Sequence, residues 1–96
     1  MNELRKKIYF ECKEKNYFIC DFIHSSSKIE TKSMGEGNII LPNVHIAPFV
    51  EVGDGNIFFN DIIVNHDTKI GNFNYFSPAF ICGGECEIGN NNFYGL

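Results

Sequence analysis

His66 and Asp67 are the adjacent pair in this chain best equipped to move a proton. An imidazole titrates near neutral pH, so it can take a proton from an attacking amine or hydroxyl. A carboxylate beside it orients the ring and favours the cation that forms. Eighteen residues further on, Cys82-Gly83-Gly84 lacks side chains at two consecutive positions, so a ligand could reach the backbone there. The plainer reading of each is structural: a solvated histidine in a turn, and glycines that make a tight corner.

The elements that must position these residues follow from a repeat. Stepping by six from residue 34 meets Met34, Ile40, Ile46, Val52, Phe58, Val64, Ile70, Phe76, Cys82, Ile88 and Tyr94, all apolar or aromatic. Glycine often follows, at Gly35, Gly53, Gly71, Gly83, Gly89 and Gly95. The fifth hexad position is mostly small or apolar: Val44, Val50, Ile62, Thr68, Phe80 and Cys86. A longer period lies on top: MGEGNI, VGDGNI, IGNFNY and IGNNNF begin at residues 34, 52, 70 and 88. It stacks Asn38, Asn56, Asn74 and Asn92, whose amides can bond along a ladder. A helix would need a period near 3.6 and an amphipathic strand a period of 2. Six within eighteen instead predicts three short strands per coil of a prism, the hexapeptide-repeat parallel β-helix. Families with this repeat coil left-handed, an exception to the usual crossover. The regular coils are expected over residues 34–96, about three and a half of them. Before them, residues 2–15 read as a helix with Leu4, Ile8, Phe10 and Cys12 on its apolar face and Asn16 as its stop. Residues 17–23 read as a strand-like run.

Composition narrows the functions. Seven of the eight basic residues fall in residues 1–32, and from Ser33 onward Lys69 alone faces seven acids, a net charge of −6. A phosphate backbone would be repelled there, which argues against nucleic-acid binding. No apolar run is long enough to span a membrane, and the charged start lacks the core of a secretory signal. A cytoplasmic protein with reduced thiols is expected. Cys82 and Cys86 have C-x3-C spacing, but no second pair or nearby histidine motif completes a metal site, so packing is the better reading. His24 and His45 read as structural or solvated, and Gly35-Glu36-Gly37 as a corner, because no helix follows it.

The stretch from Val64 to Phe73, followed by Ser77-Pro78-Ala79, carries a resemblance. It is similar to the sialic acid O-acetyltransferases and their sugar N-acetyltransferase relatives. These join a small nucleotide-sugar-binding α/β domain to a hexapeptide β-helix. By that resemblance residues 1–27 are the remnant of the α/β domain, its last helix and strand, and residues 28–96 are the β-helix. The glycine-rich start and the later coils of the family are missing, and the hexad around Ile29 to Ser33 is one residue short. The resemblance therefore implies a chain truncated at both ends. It also implies acetyl-coenzyme A as co-substrate, no metal, a sugar or nucleotide-sugar acceptor with an amine or a sialic-acid hydroxyl, and a homotrimer. His66 matches the family's proton acceptor and Asp67 the acid that raises its basicity. Gly84 matches a glycine whose N–H meets the thioester carbonyl. Tyr75 and Leu96 match coenzyme contacts. The alternative is a non-catalytic remnant or a structural trimerisation module.

Overall fold

The structure is a computed structural model that describes residues 2–17 and 19–95. One helix, α1 (Asn2–Glu14), precedes thirteen two-residue strands. The first coil holds β1 (Phe22–Ile23), β2 (Lys28–Ile29) and β3 (Ser33–Met34), and the second β4 (Ile39–Ile40), β5 (His45–Ile46) and β6 (Glu51–Val52). The third holds β7 (Ile57–Phe58), β8 (Ile63–Val64) and β9 (Lys69–Ile70). The fourth holds β10 (Tyr75–Phe76), β11 (Ile81–Cys82) and β12 (Glu87–Ile88), and β13 (Phe93–Tyr94) opens the next. Each strand pairs in parallel with its counterpart one coil away, giving the sheets β1-β4-β7-β10-β13, β11-β8-β5-β2 and β12-β9-β6-β3. This is the left-handed parallel β-helix that the six-residue period predicts.

The hexad column is the core. Ile40, Ile46, Val52, Phe58, Val64, Ile70, Phe76 and Cys82 are buried, and Met34, Ile88 and Tyr94 are half-buried. Each fully buried apolar side chain contributes about 1.5–3 kcal/mol. The rings of Phe58 and Phe76 stack at 4.8 Å, and Tyr94 stacks on Phe76 at 5.3 Å. Val44, Val50, Ile62 and Thr68 fill the second inward column, with Asn38, Asn56 and Asn74 at full burial in the same column. The asparagines bond mainly to backbone. Asn38 Oδ1 accepts from the Asn56 N–H at 2.8 Å, and Asn56 Oδ1 from the Asn74 N–H at 2.9 Å. The side chain of Asn56 also donates to Asn38 Oδ1 at 3.1 Å.

The coils begin earlier than the expected boundary at residue 28. Phe22 pairs with Ile39 and Ile23 with Ile40, so β1 is the first strand of the five-stranded sheet. Residues 17 and 19–21 are not strand, and Phe18 lies outside the described residues. The first coil is one residue shorter than the rest: Ile29 pairs with Ile46, seventeen residues on, whereas Met34 pairs with Val52, eighteen on.

The helix ends where Asn16 turns left-handed, at φ 59°. The Asn16 N–H donates to the Lys13 carbonyl and the Tyr17 N–H to the Cys12 carbonyl, a Schellman closure. Its contact face differs from the expected one. Leu4 and Ile8 are exposed, while Tyr9 faces the prism. The Tyr9 ring meets Phe73 edge-on at 5.1 Å and Phe10 lies 5.8 Å from the same ring. The Tyr9 hydroxyl donates to Glu36 at 2.6 Å, and Lys13 pairs with Glu36 at 2.8 Å. Burial, and then that bond to Glu36, push the Tyr9 phenol well above its ordinary value. Helical periodicity alone could not choose this face, because Phe73, its anchor, is remote in sequence.

Candidate active site

His66 and Asp67 sit at the corner where the second sheet turns into the third, between β8 and β9. Equivalent corners stand one coil before, at Pro48-Phe49, and one coil after, at Gly84-Glu85. The second residue of each is left-handed: Phe49 at φ 63°, Asp67 at 56° and Glu85 at 59°. Aspartate tolerates this backbone better than most residues, since its short polar side chain bonds locally. Here it bonds back onto the preceding ring, with His66 Nδ1 and Asp67 Oδ2 3.0 Å apart. An ionised carboxylate only accepts, so in the neutral ring Nδ1 carries the hydrogen and Nε2 keeps its lone pair. Both side chains stand in solvent, at 61% and 56% exposure, free to meet a ligand.

The free Nε2 lies against Gly84. A Cβ built on Gly84 would stand 2.8 Å from it, and φ there is not left-handed. A side chain at 84 would push the imidazole below it aside, while the backbone there is unstrained.

The backbone N–H at this first corner position has no partner from the coil ladder. Proline, which has no N–H, therefore occupies it at Pro42, Pro48 and Pro78. At the corner between the third and first sheets side chains cap it instead. Asp54 Oδ1 accepts from the Glu36 N–H at 2.9 Å, Asn72 Oδ1 from the Asp54 N–H at 2.7 Å, and Asn90 Oδ1 from the Asn72 N–H at 2.7 Å. Gly84 is not proline, so it keeps a backbone N–H. The base thus touches a residue that keeps a backbone donor, the pair needed to deprotonate a nucleophile and steady an oxyanion.

Tyr75 is placed elsewhere. It faces outward from β10, stacked on Phe93 at 4.7 Å, on the sheet opposite the His66 corner of the same chain. Leu96 lies outside the described residues. Cys82 is buried and Cys86 half-buried, each with its thiol directed at the Gly83 carbonyl, at 3.3 and 3.2 Å. Burial, and then the neighbouring Cys86, raise the Cys82 thiol above its ordinary value. Among the described residues no three His, Cys, Asp or Glu side chains cluster to hold a metal. Thr68 joins the same carbonyl at 3.3 Å, a role the sequence reading missed. The signal was available: Thr68 is the one hydroxyl in an inward column otherwise filled by apolar side chains, asparagine or cysteine.

Below Asp67 the same corner opens into a cleft of 640 Å³, lined by Thr31, Lys32, Ser33, Pro48, Phe49 and Glu51 among others. Phe49 is 78% exposed there.

No protein-family model matches the chain, and no curated protein does. Solved structures do match. One is GDP-perosamine N-acetyltransferase from Caulobacter crescentus with a histidine changed to alanine, and another is perosamine N-acetyltransferase from the same organism with a histidine changed to asparagine. Both were crystallised with CoA and GDP-perosamine. Each superposes with a TM-score of 0.91 at 24% identity, over 96% of this chain. The chain shares the fold of the matched part of these structures. It covers 44% of the solved acetyltransferase chains, so it spans less than half their length.

Proposed function

We propose that this chain carries the transfer site of an acetyl-coenzyme A-dependent sugar acetyltransferase. The observation that carries the reading is the packing of His66 Nε2 against Gly84 across one coil, with Asp67 on the other ring nitrogen. The likeness of fold to enzymes crystallised with CoA and a nucleotide-linked amino sugar supports it. Acetyl-coenzyme A, when bound, supplies a thioester carbonyl. His66 Nε2 takes the proton from the acceptor amine or hydroxyl as that group attacks the carbonyl carbon. Asp67 holds the ring and steadies the imidazolium. The Gly84 N–H donates to the oxygen on which charge develops. When the carbon–sulfur bond breaks, the proton on His66 passes to the departing thiolate, and the base is regenerated.

The acceptor in this reading is an amino sugar, free or nucleotide-linked, or the hydroxyl of a sialic acid. The enzyme works in the cytoplasm as a homotrimer in which Tyr75 and Leu96 touch coenzyme A bound across subunits. Exposed Ile63 and Ile81, side by side on the outer face of the second sheet, support self-association. Calorimetric titration of the 96-residue chain with acetyl-coenzyme A tests the reading. Saturable binding that weakens in Gly84→Val supports it. No binding at millimolar ligand, on the order of the weakest specific affinities, would favour the non-catalytic module.

A further inference from the structure

The Gly83–Gly84 peptide has an inner and an outer side. Its carbonyl oxygen points into the prism, where three donors converge on it: Cys86 Sγ at 3.2 Å, Cys82 Sγ at 3.3 Å and Thr68 Oγ1 at 3.3 Å. Thr68 is fully buried and Cys82 nearly so. A trans peptide directs its N–H opposite to its C=O in one plane. Holding the oxygen inward therefore holds the Gly84 N–H outward, on a residue that lies against the His66 ring.

The same device recurs at the corner between the third and first sheets. Asn38, Asn56 and Asn74 donate to the carbonyls of Gly53, Gly71 and Gly89 at 2.9, 2.9 and 2.8 Å. The spacing from donor to acceptor is fifteen residues in each case, as it is from Thr68 to Gly83. There, however, the N–H on the far side of the peptide is capped by the next coil at Asp54 and Asn72. At Gly83–Gly84 the anchor is kept, with Thr68 in the place of asparagine.

We infer that Thr68, Cys82 and Cys86 are positioning residues that aim the Gly84 N–H at the reacting carbonyl, an inference that rests on the acetyltransferase reading for its chemistry. Their three bonds fix the rotation of one peptide plane. A plane free to rock would present its donor to the oxyanion only part of the time. Rigid placement of the donor is what makes such a site effective, because no reorganisation is then needed during the reaction.

The test compares Thr68→Val, Thr68→Ser and Cys86→Ala in the full chain. Val50 holds the equivalent inward place one coil before Thr68, so the fold accepts valine there. Acetyl transfer to an amino sugar should fall roughly tenfold in kcat for Thr68→Val, less than the 10²–10³ for deleting an oxyanion donor outright. The KM for acetyl-coenzyme A should stay within about twofold, as for a group acting only on the transition state. Thr68→Ser, which keeps the hydroxyl, should restore the rate, and Cys86→Ala should add to the loss in Thr68→Val. An unchanged kcat in the Thr68→Val/Cys86→Ala double variant, with its fold intact by circular dichroism, would overturn the inference. A second measurement separates its failure from that of the functional reading. The carbonyl carbon resonance of Gly83 and the amide resonance of Gly84 should move in Thr68→Val and return in Thr68→Ser, with or without activity. If wild type is inactive and these signals move, the clamp stands and the acetyltransferase reading falls. If they do not move, the clamp itself is wrong.

Discussion

At the corner between the third and first sheets, buried asparagines hold the glycine carbonyls, Asp54, Asn72 and Asn90 cap the N–H groups behind them, and α1 covers the outside. At the corner between the second and third sheets, Thr68 and two thiols hold the equivalent carbonyl, and His66 and Asp67 stand in solvent. Two phenylalanines show the same contrast. Both adopt left-handed backbone, yet Phe73 lies 5% exposed beneath Tyr9 and Phe10, and Phe49 is 78% exposed. One corner uses its polar groups to satisfy itself. The other leaves an imidazole and an aromatic ring exposed to a ligand. Polar groups that satisfy the fold and polar groups that face solvent are thus separated on one repeating scaffold.

Mutations at the two corners should therefore fail in opposite ways. The largest effect is expected from His66→Ala, which should reduce acetyl transfer by roughly 10²–10⁴ while leaving the thermal midpoint unchanged. Thermal unfolding alongside a transfer assay checks both halves. A loss of stability there would erase the contrast.

Asn56→Leu should do the reverse. It strands the Gly71 carbonyl and the Asn74 N–H, both now bonded by the Asn56 side chain. Each lost partner costs about 1–3 kcal/mol, so urea unfolding should show several kcal/mol of destabilisation. The Gly84 amide resonance should hardly move in the folded fraction.

Glycine-to-alanine changes sharpen the comparison. At Gly53 the new methyl would stand 2.5 Å from the Gly71 carbonyl oxygen and 2.2 Å from Asn72 Oδ1, and backbone cannot yield cheaply. Gly53→Ala should destabilise the fold by about 1–3 kcal/mol, as overpacking does. At Gly84 the methyl meets only the tip of the His66 ring, which can swing away. Gly84→Ala should change stability by less than about 0.5 kcal/mol, in the range of surface substitutions, yet lower transfer by misplacing the base. Equal stability losses at the two glycines would contradict this.

The smallest effect concerns pH at the helix seam. Lys13, and then Tyr9, hold the Glu36 carboxyl below its usual value. A carboxyl whose pKa is lower folded than unfolded adds stability above the unfolded value, near about 4.3. That contribution is lost as pH falls through the folded value. The thermal midpoint should therefore drop slightly in acid, and Lys13→Met should shrink the drop. Tyr9 works in the other direction: its phenol is raised, so its contribution should fade as pH rises above about 10.

Much of this molecule was legible as a linear pattern. The inward column from Ile40 to Cys82, the stacked asparagines and the short first coil all follow from counting residues, because each coil repeats one local geometry. The adjacency of His66 and Gly84 was legible too, being one period apart. The face by which α1 docks was not, nor was the membership of Phe22–Ile23 in the first sheet.

The amino-acid sequence by itself determined the coil: a period of six selects which side chains go inside, and burying them closes the prism. Only the tertiary structure decided how the corners differ. Contacts such as Thr68 with the Gly83 carbonyl span fifteen residues and join two different columns, so no single period records them. They exist because closing the coil brings an inward side chain of one turn beneath a peptide plane of the next. A hydrogen bond acts only when donor and acceptor meet at short range and in line, and that meeting is a property of the closed prism.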